Sequence, residues 1–297
     1  MVDFNFSKFK FNCSFSTVYK VKERTTEREF AIKVCIKQQI LRERKIEQIY
    51  REKEALARLS KPENRHAFFL QIYCTFQDSD SLYIVTTLAK GGDLLRQLKK
   101  RIKFDTDITK FCASEIVVAL GHMHRLKIIH RDLKPENILL SAIGHILISD
   151  FGSSKLQSQN RIVDFQQILR RRKCSFVGTA QYVSPEVLCG QLVQQACDYW
   201  ALGVIIYQFL TGRHAFYEAS EYIMYKKICH ASYEMPADFS LETRHLIEQL
   251  IVVNPAERLG SVESGGVEHE FFKGIDWSNI EQCQSPFRIY LYFFINF

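Results

Sequence analysis

The sequence predicts an α+β chain in two lobes, a small β-rich one followed by a larger helical one. Apolar residues alternate with polar ones through most of the first 88 positions. The pair Gly91-Gly92 then breaks the pattern, and beyond it the apolar residues recur at helical spacing.

Taken in order, Phe4, Phe6, Phe9 and Phe11 form one strand pattern, Val18 to Val21 a second and Phe30 to Ile36 a third, each bounded by polar turns. A charged helix is expected over Arg42 to Leu59. Two more strands follow, at Leu70 to Phe76 and Leu82 to Leu88. Past the glycine pair, Ile108, Phe111, Cys112, Ile116, Ala119 and Met123 make a helical stripe that opens near Asp105, a capping residue. The run from Asp198 to Leu210 is apolar on nearly every side, which places it centrally. Ser240 to Val253 is amphipathic. These patterns divide the chain into a small lobe (1–87), a large lobe (88–277) and a tail (278–297), with a hinge at Thr86 to Ala89.

Composition narrows the function classes. The 297 residues are 46% hydrophobic and 25% charged with net charge +7, the balance of an ordinary globular protein. No nucleic-acid-binding fingerprint is present, so a nucleic-acid partner is not expected. The nine cysteines are scattered without metal-site spacing. Cys13, Cys35, Cys74 and Cys112 sit among apolar neighbours and read as small buried hydrophobes of a reducing compartment. The N-terminus lacks the apolar run of a signal peptide. The longest apolar run, from Tyr199, is about twelve residues and too short to span a bilayer. The expected location is cytoplasmic, with no membrane domain in these residues.

The chemistry concentrates in His130-Arg131-Asp132-Leu133-Lys134-Pro135-Glu136-Asn137 and Asp150-Phe151-Gly152. Phosphoryl transfer needs a group that orients a hydroxyl and accepts its proton, and oxygen ligands that hold Mg²⁺ against a triphosphate. Asp132 suits the first task, and Asn137 and Asp150 the second. Phe151 is the apolar plug that sets the angle of Asp150. Upstream, Ile49, Glu52, Leu56 and Leu59 share one helical face, and a carboxylate among leucines requires a cation.

These motifs resemble the protein kinase family over nearly the whole chain. The resemblance implies a bilobal kinase fold and a serine/threonine kinase using ATP and Mg²⁺. It implies that Lys33, in Phe30-Ala31-Ile32-Lys33, holds the α- and β-phosphates and pairs with Glu52. Lys134, two residues after Asp132, and Thr179 are similar to serine/threonine kinases rather than tyrosine kinases. Ser184-Pro185-Glu186 looks like the end of an activation segment, with Glu186 bound to Arg258. By the same resemblance Val18 and Ala31 roof the adenine pocket, Leu139 floors it and Thr86 guards its back beside Ser149. Thr87, Leu88 and Ala89 offer the hinge backbone, and Asp93 and Glu136 lie on the ribose side. Ser14, Phe15 and Ser16 cover the phosphates.

Within the family, Ser175 to Glu186, Ser14 to Val18 and Tyr73 to Asp78 resemble the phosphoinositide-dependent protein kinases of the AGC group. Those enzymes phosphorylate the activation loops of other AGC kinases. They usually carry a lipid-binding domain after the kinase domain, and these 297 residues hold none, so direct recruitment by phosphoinositides is not expected of them. The resemblance makes Ser175 a phosphorylation site whose phosphate meets Arg131, Lys155 and Arg51. It also makes Lys37, Leu41, Lys53, Thr75, Gln77 and Leu82 a docking pocket for Phe-x-x-Phe segments of substrates. Phe294-Ile295-Asn296-Phe297 is itself such a segment and is expected either to fill that pocket, in cis or from a second chain, or to pack on the large lobe or stay disordered.

Two departures stand against the family pattern. Its G-x-G-x-x-G turn is replaced by Phe11-Asn12-Cys13-Ser14-Phe15-Ser16. Without glycine the backbone approaches phosphates less closely. The stretch between Phe151 and Ser175 is longer than in the resembled group and holds the basic run Arg170 to Lys173, which reads as a loop. The alternative reading is therefore a pseudokinase-like scaffold with weakened ATP binding. The oligomeric state is not legible.

Overall fold

The computed structural model describes residues 4–13, 16–157, 180–261 and 267–287. Five strands, β1 (Phe4–Cys13), β2 (Ser16–Glu23), β3 (Glu29–Ile36), β4 (Ile72–Gln77) and β5 (Ser81–Thr87), pair antiparallel in the order β1-β2-β3-β5-β4. The period-2 pattern sorts their side chains. Phe4, Val21, Phe30, Ile32 and Val85 pack together on one face. The register sets Val18 beside Lys33 and Ala31 beside Thr86, so these four occupy the other face, toward the large lobe.

The expected continuous helix from Arg42 to Leu59 is two helices, α1 (Lys37–Arg42) and α2 (Ile46–Leu59), with Arg44 between them at φ 55°. The reason is burial. Ile40 and Ile49 both pack with Cys35. In one straight helix residues nine apart point in opposite directions, at about 100° per residue. A corner lets both reach the same sheet face. On α2, Ile49, Glu52, Leu56 and Leu59 are buried together, as their spacing predicts.

The large lobe begins with α3 (Leu94–Arg101) and α4 (Thr106–Arg125), followed by β6 (Ile128–Ile129), β7 (Ile138–Leu140), β8 (Ile146–Ile148) and β9 (Lys155–Leu156). Helices α5 (Pro185–Leu188), α6 (Ala196–Thr211), α7 (Glu221–Cys229) and α8 (Leu241–Leu250) complete it. The expected cap at Asp105 forms, and Ser240 caps the last helix as well. Asp105 accepts from the Ile108 N–H at 2.8 Å and Ser240 from the Thr243 N–H at 3.2 Å. Every residue of α6 from Ala196 to Phe209 is buried, which makes it the axis of the lobe. It stops at Gly212, at φ 71°, where a Cβ would come within 2.3 Å of the Ile102 carbonyl oxygen. Helices α3 and α7 bury only Leu94 with Leu98, and Met224 with Ile228. Their apolar residues do not all face inward, Tyr222 and Ile223 of α7 being exposed, so no clean period stands out in the sequence.

The lobes are stitched by backbone. The Ile148 N–H donates to the Phe68 carbonyl at 2.9 Å. Arg58, on α2, donates to the Leu126 carbonyl at the end of α4. Cys35 and Cys112 are buried as expected, whereas Cys74 is only half-buried. Among the described residues no helix is long and apolar enough to cross a membrane.

Candidate active site

Strand β6 delivers His130 to the cleft. The His130 and Arg131 N–H groups donate to the Asp198 carboxylate at 2.9 and 2.8 Å, and His124 Nε2 lies 2.8 Å from it. Burial alone would raise the Asp198 pKa. The His124 hydrogen bond, the charges of His124 and His130 and the Arg131 N–H outweigh it and hold the carboxylate below its ordinary value. Arg131 stands at φ 66°, which an L side chain rarely adopts. Asp198, the first acid of α6, fastens the backbone on both sides of that turn. Sequence reasoning used Asp198 only to mark a helix start. Its signal was a carboxylate opening an otherwise apolar helix.

The turn presents Asp132. Lys134 Nζ lies 3.1 and 3.0 Å from its two oxygens, and Asn137 Nδ2 donates to its carbonyl at 2.8 Å and to Oδ2 at 3.3 Å. Asp132, Lys134 and Asn137 therefore form one cluster, as expected. Ser149 ties the next strand to it, its N–H and its hydroxyl each donating to the Asn137 carbonyl at 2.9 Å. Asp150 follows at φ 58°. Phe151 is fully buried, with its ring centroid 5.0 Å from that of His130 and 6.3 Å from that of Phe69. Gly152 faces α2 so closely that a Cβ there would meet the Gln48 side chain at 2.7 Å. The position of Asp150 is thereby coupled to that of α2.

Across the cleft, Lys33 Nζ lies 2.6 and 2.7 Å from the two oxygens of Glu52. Burial would lower the Lys33 pKa, but Glu52 and Asp150 outweigh it and hold the ammonium charged well above its ordinary range. Strand β5 ends at Thr87, within the expected hinge. Thr86 is buried, the Thr87 N–H donates to the Gln71 carbonyl at 3.0 Å, and Leu88 and Ala89 are half-buried. Asp93 caps α3 by accepting from the Arg96 N–H at 2.7 Å and bridges by backbone to Leu139. Glu136 lines an open groove of about 520 Å³ together with Asp93, Arg96 and Lys99.

The expected phosphate receptors lie on three separate parts of the chain. Lys155 pairs across β6–β9 with Ile129, two residues before Arg131. The Arg131 guanidinium donates to the Ser153 and Ser154 carbonyls at 2.6 and 3.1 Å, and Arg51 on α2 pairs with Glu47. In the expected docking pocket, Leu82 packs against the Cys35, Ile40 and Ile49 cluster while Leu41 is 63% exposed. Lys37 Nζ donates to the Asp78 carbonyl, Gln77 pairs with Leu82 and Thr75 with Ile84, and Lys53 is exposed. Ser16 pairs with Cys13 at the top of the β1–β2 hairpin. Ser14, Phe15, Arg170 to Lys173, Ser175 and the tail segment Phe294 to Phe297 lie outside the described residues.

Behind the cleft, Glu186 and Arg258 form the buried pair the motif implied, at 2.8 and 3.1 Å. Residues 12–272 match the protein kinase domain family. The chain belongs to the protein kinase family. It is 43% identical to rat 3-phosphoinositide-dependent protein kinase 1 over 288 residues, which cover 96% of this chain and 49% of that protein. The human protein of the same name is 42% identical over the same share of this chain and 50% of its own length. The fission-yeast serine/threonine-protein kinase ksg1 is 41% identical over 93% of this chain and 47% of its own. Within the kinases the chain thus falls in the AGC group, with the phosphoinositide-dependent type. It spans about half the length of these curated relatives.

Proposed function

We propose that this chain transfers the γ-phosphate of ATP to serine or threonine hydroxyls of proteins, acting in the cytoplasm on the activation loops of other AGC kinases. The observation that carries this reading is the placement of Asp132 between Lys134 and Asn137, opposite a Lys33 already paired with Glu52. Asp132 orients the substrate hydroxyl and accepts its proton. Lys134, at 3.0 Å, offsets the negative charge that gathers between that hydroxyl and the phosphate. Lys33, fixed by Glu52, binds the α- and β-phosphates.

The residues present fit a magnesium ion. Asn137 spends its amide nitrogen on Asp132, which leaves the carboxamide oxygen for a cation. Asp150 adds a carboxylate whose described bond, from the Gly152 N–H, is a long 3.4 Å. Both are hard oxygen donors of the kind Mg²⁺ takes. When bound, the ion supplies charge neutralisation along the triphosphate.

Substrates are captured through a Phe-x-x-Phe segment at Leu41 and Leu82, with Lys53, Thr75 and Gln77 receiving its acidic or phosphorylated end. Ser175, once phosphorylated, is met by Arg131, Lys155 and Arg51. The scaffold reading finds no support, since the relatives are kinases by name and the charged set is complete.

The test is Asp132→Asn, assayed with Mg²⁺·ATP and a substrate peptide. Turnover should fall by about 10²–10⁴-fold while nucleotide affinity holds, because Asp132 touches the hydroxyl and not the nucleotide. A variant that turns over like the parent overturns the assignment.

A further inference from the structure

Cys189 follows the last residue of α5 and Cys229 ends α7. Forty residues separate them in sequence, yet their sulfurs lie 3.9 Å apart. Cys189 is exposed and Cys229 half-buried, so both can be reached from solvent. Cys112 and Cys197, by contrast, are enclosed. Gly190, next to Cys189, stands at φ 65° with nothing within 4 Å of where a Cβ would be, so no side chain crowds the turn beside Cys189.

We propose that Cys189 and Cys229 form a reversible disulfide when the chain meets a peroxide. The Cys189 thiol attacks the peroxide. An S–O bond forms, the O–O bond breaks, and the departing oxygen leaves as water with the thiol proton. The Cys229 sulfur then attacks the resulting sulfenic acid. The S–S bond forms, the S–O bond breaks, and a second water leaves with the Cys229 proton. In sum two thiols lose two electrons and two protons, and one peroxide becomes two waters. Exposure makes Cys189 the first to react. Burial and the contact with Cys189 raise the Cys229 pKa and keep it the resolving thiol.

The bond joins two parts of the large lobe that lie against each other. Helix α5 carries Glu186 and follows Ser184 at the end of the activation segment, and α7 flanks it. Closing a forty-residue loop restrains the unfolded chain, so the oxidised protein should resist heat better than the reduced one.

The experiment treats the purified full chain with hydrogen peroxide, blocks free thiols with iodoacetamide and maps peptides by mass without reduction. The expected product is one intrachain linked peptide pair containing Cys189 and Cys229, reversed by dithiothreitol. Its formation should raise the melting temperature. Cys189→Ser should abolish the linkage. Cys229→Ser should leave a sulfenic acid on Cys189 that dimedone traps, in a yield the parent does not reach. Full alkylation of both residues after peroxide, or linkage of either one to a different cysteine or a second chain, overturns the proposal.

Discussion

The Glu186–Arg258 pair of the large lobe and the Lys33–Glu52 pair of the small lobe join a carboxylate to a cation at similar distances, 2.8 and 2.6 Å. Their surroundings differ. Arg258 is 1% exposed and also donates to the Ala196 and Val252 carbonyls, so its fork is satisfied from several sides. Lys33 is held by Glu52 and faces Asp150 across the cleft. The first pair joins parts of one lobe and has no free direction. The second joins β3 to α2, and α2 rests on the Phe151–Ser153 turn, so any movement of that helix opens the pair. The same chemistry serves as a staple in one place and as a readout of helix position in the other.

Arg258→Met should break the staple. It leaves Glu186 buried without a partner and should cost about 3–5 kcal/mol in urea unfolding. The double variant Glu186→Gln with Arg258→Met should recover part of the loss, because the uncompensated charge is gone. A single variant as stable as the parent would erase the distinction between the two pairs.

Lys33→Met should show the reverse profile. Phosphate transfer should drop by about 10²–10³-fold, with a smaller loss of stability. Burial already pushes the Glu52 pKa up, so the abandoned carboxyl can take a proton instead of remaining a buried charge. Steady-state kinetics beside a thermal melt separates the two effects. Equal damage to both would make Lys33 a second staple.

The smallest effect concerns a third buried pair, His145 with Glu115. The hydrogen bond that His145 Nδ1–H donates to the Glu115 carboxylate raises the His145 pKa above its ordinary 6.5, against the opposing effect of burial. A raised histidine contributes its stability in full below the unfolded value and loses it as pH climbs through the folded one. The melting temperature of the parent should therefore exceed that of His145→Gln by about 1–3 °C below pH 6.5, and the gap should close as pH rises. A gap that widens with pH would reverse the sign of the coupling.

The cluster of Asp132, Lys134 and Asn137 was legible because its members are close in sequence. Asp132, Lys134 and Asn137 lie within one turn, and their residue types have few other uses together. The face of α2 was legible because burial repeats with the helix period. The corner at Arg44 was not, since the run Arg42 to Lys45 contains no apolar residue to report which way each helix turns.

The sequence by itself determined the β-rich first part and the helical second part, the cap at Asp105, and the cluster of Asp132, Lys134 and Asn137. Each of these follows from local periodicity or from chemistry packed into a few positions. Only the tertiary structure decided that Asp198 holds the backbone of His130 and Arg131, that Arg58 spans the lobes to Leu126, and that Cys189 meets Cys229. These partners stand 40 to 68 residues apart. No local spacing records such a meeting, because it arises only when separately formed elements bury their apolar faces against one another and bring distant polar groups into reach.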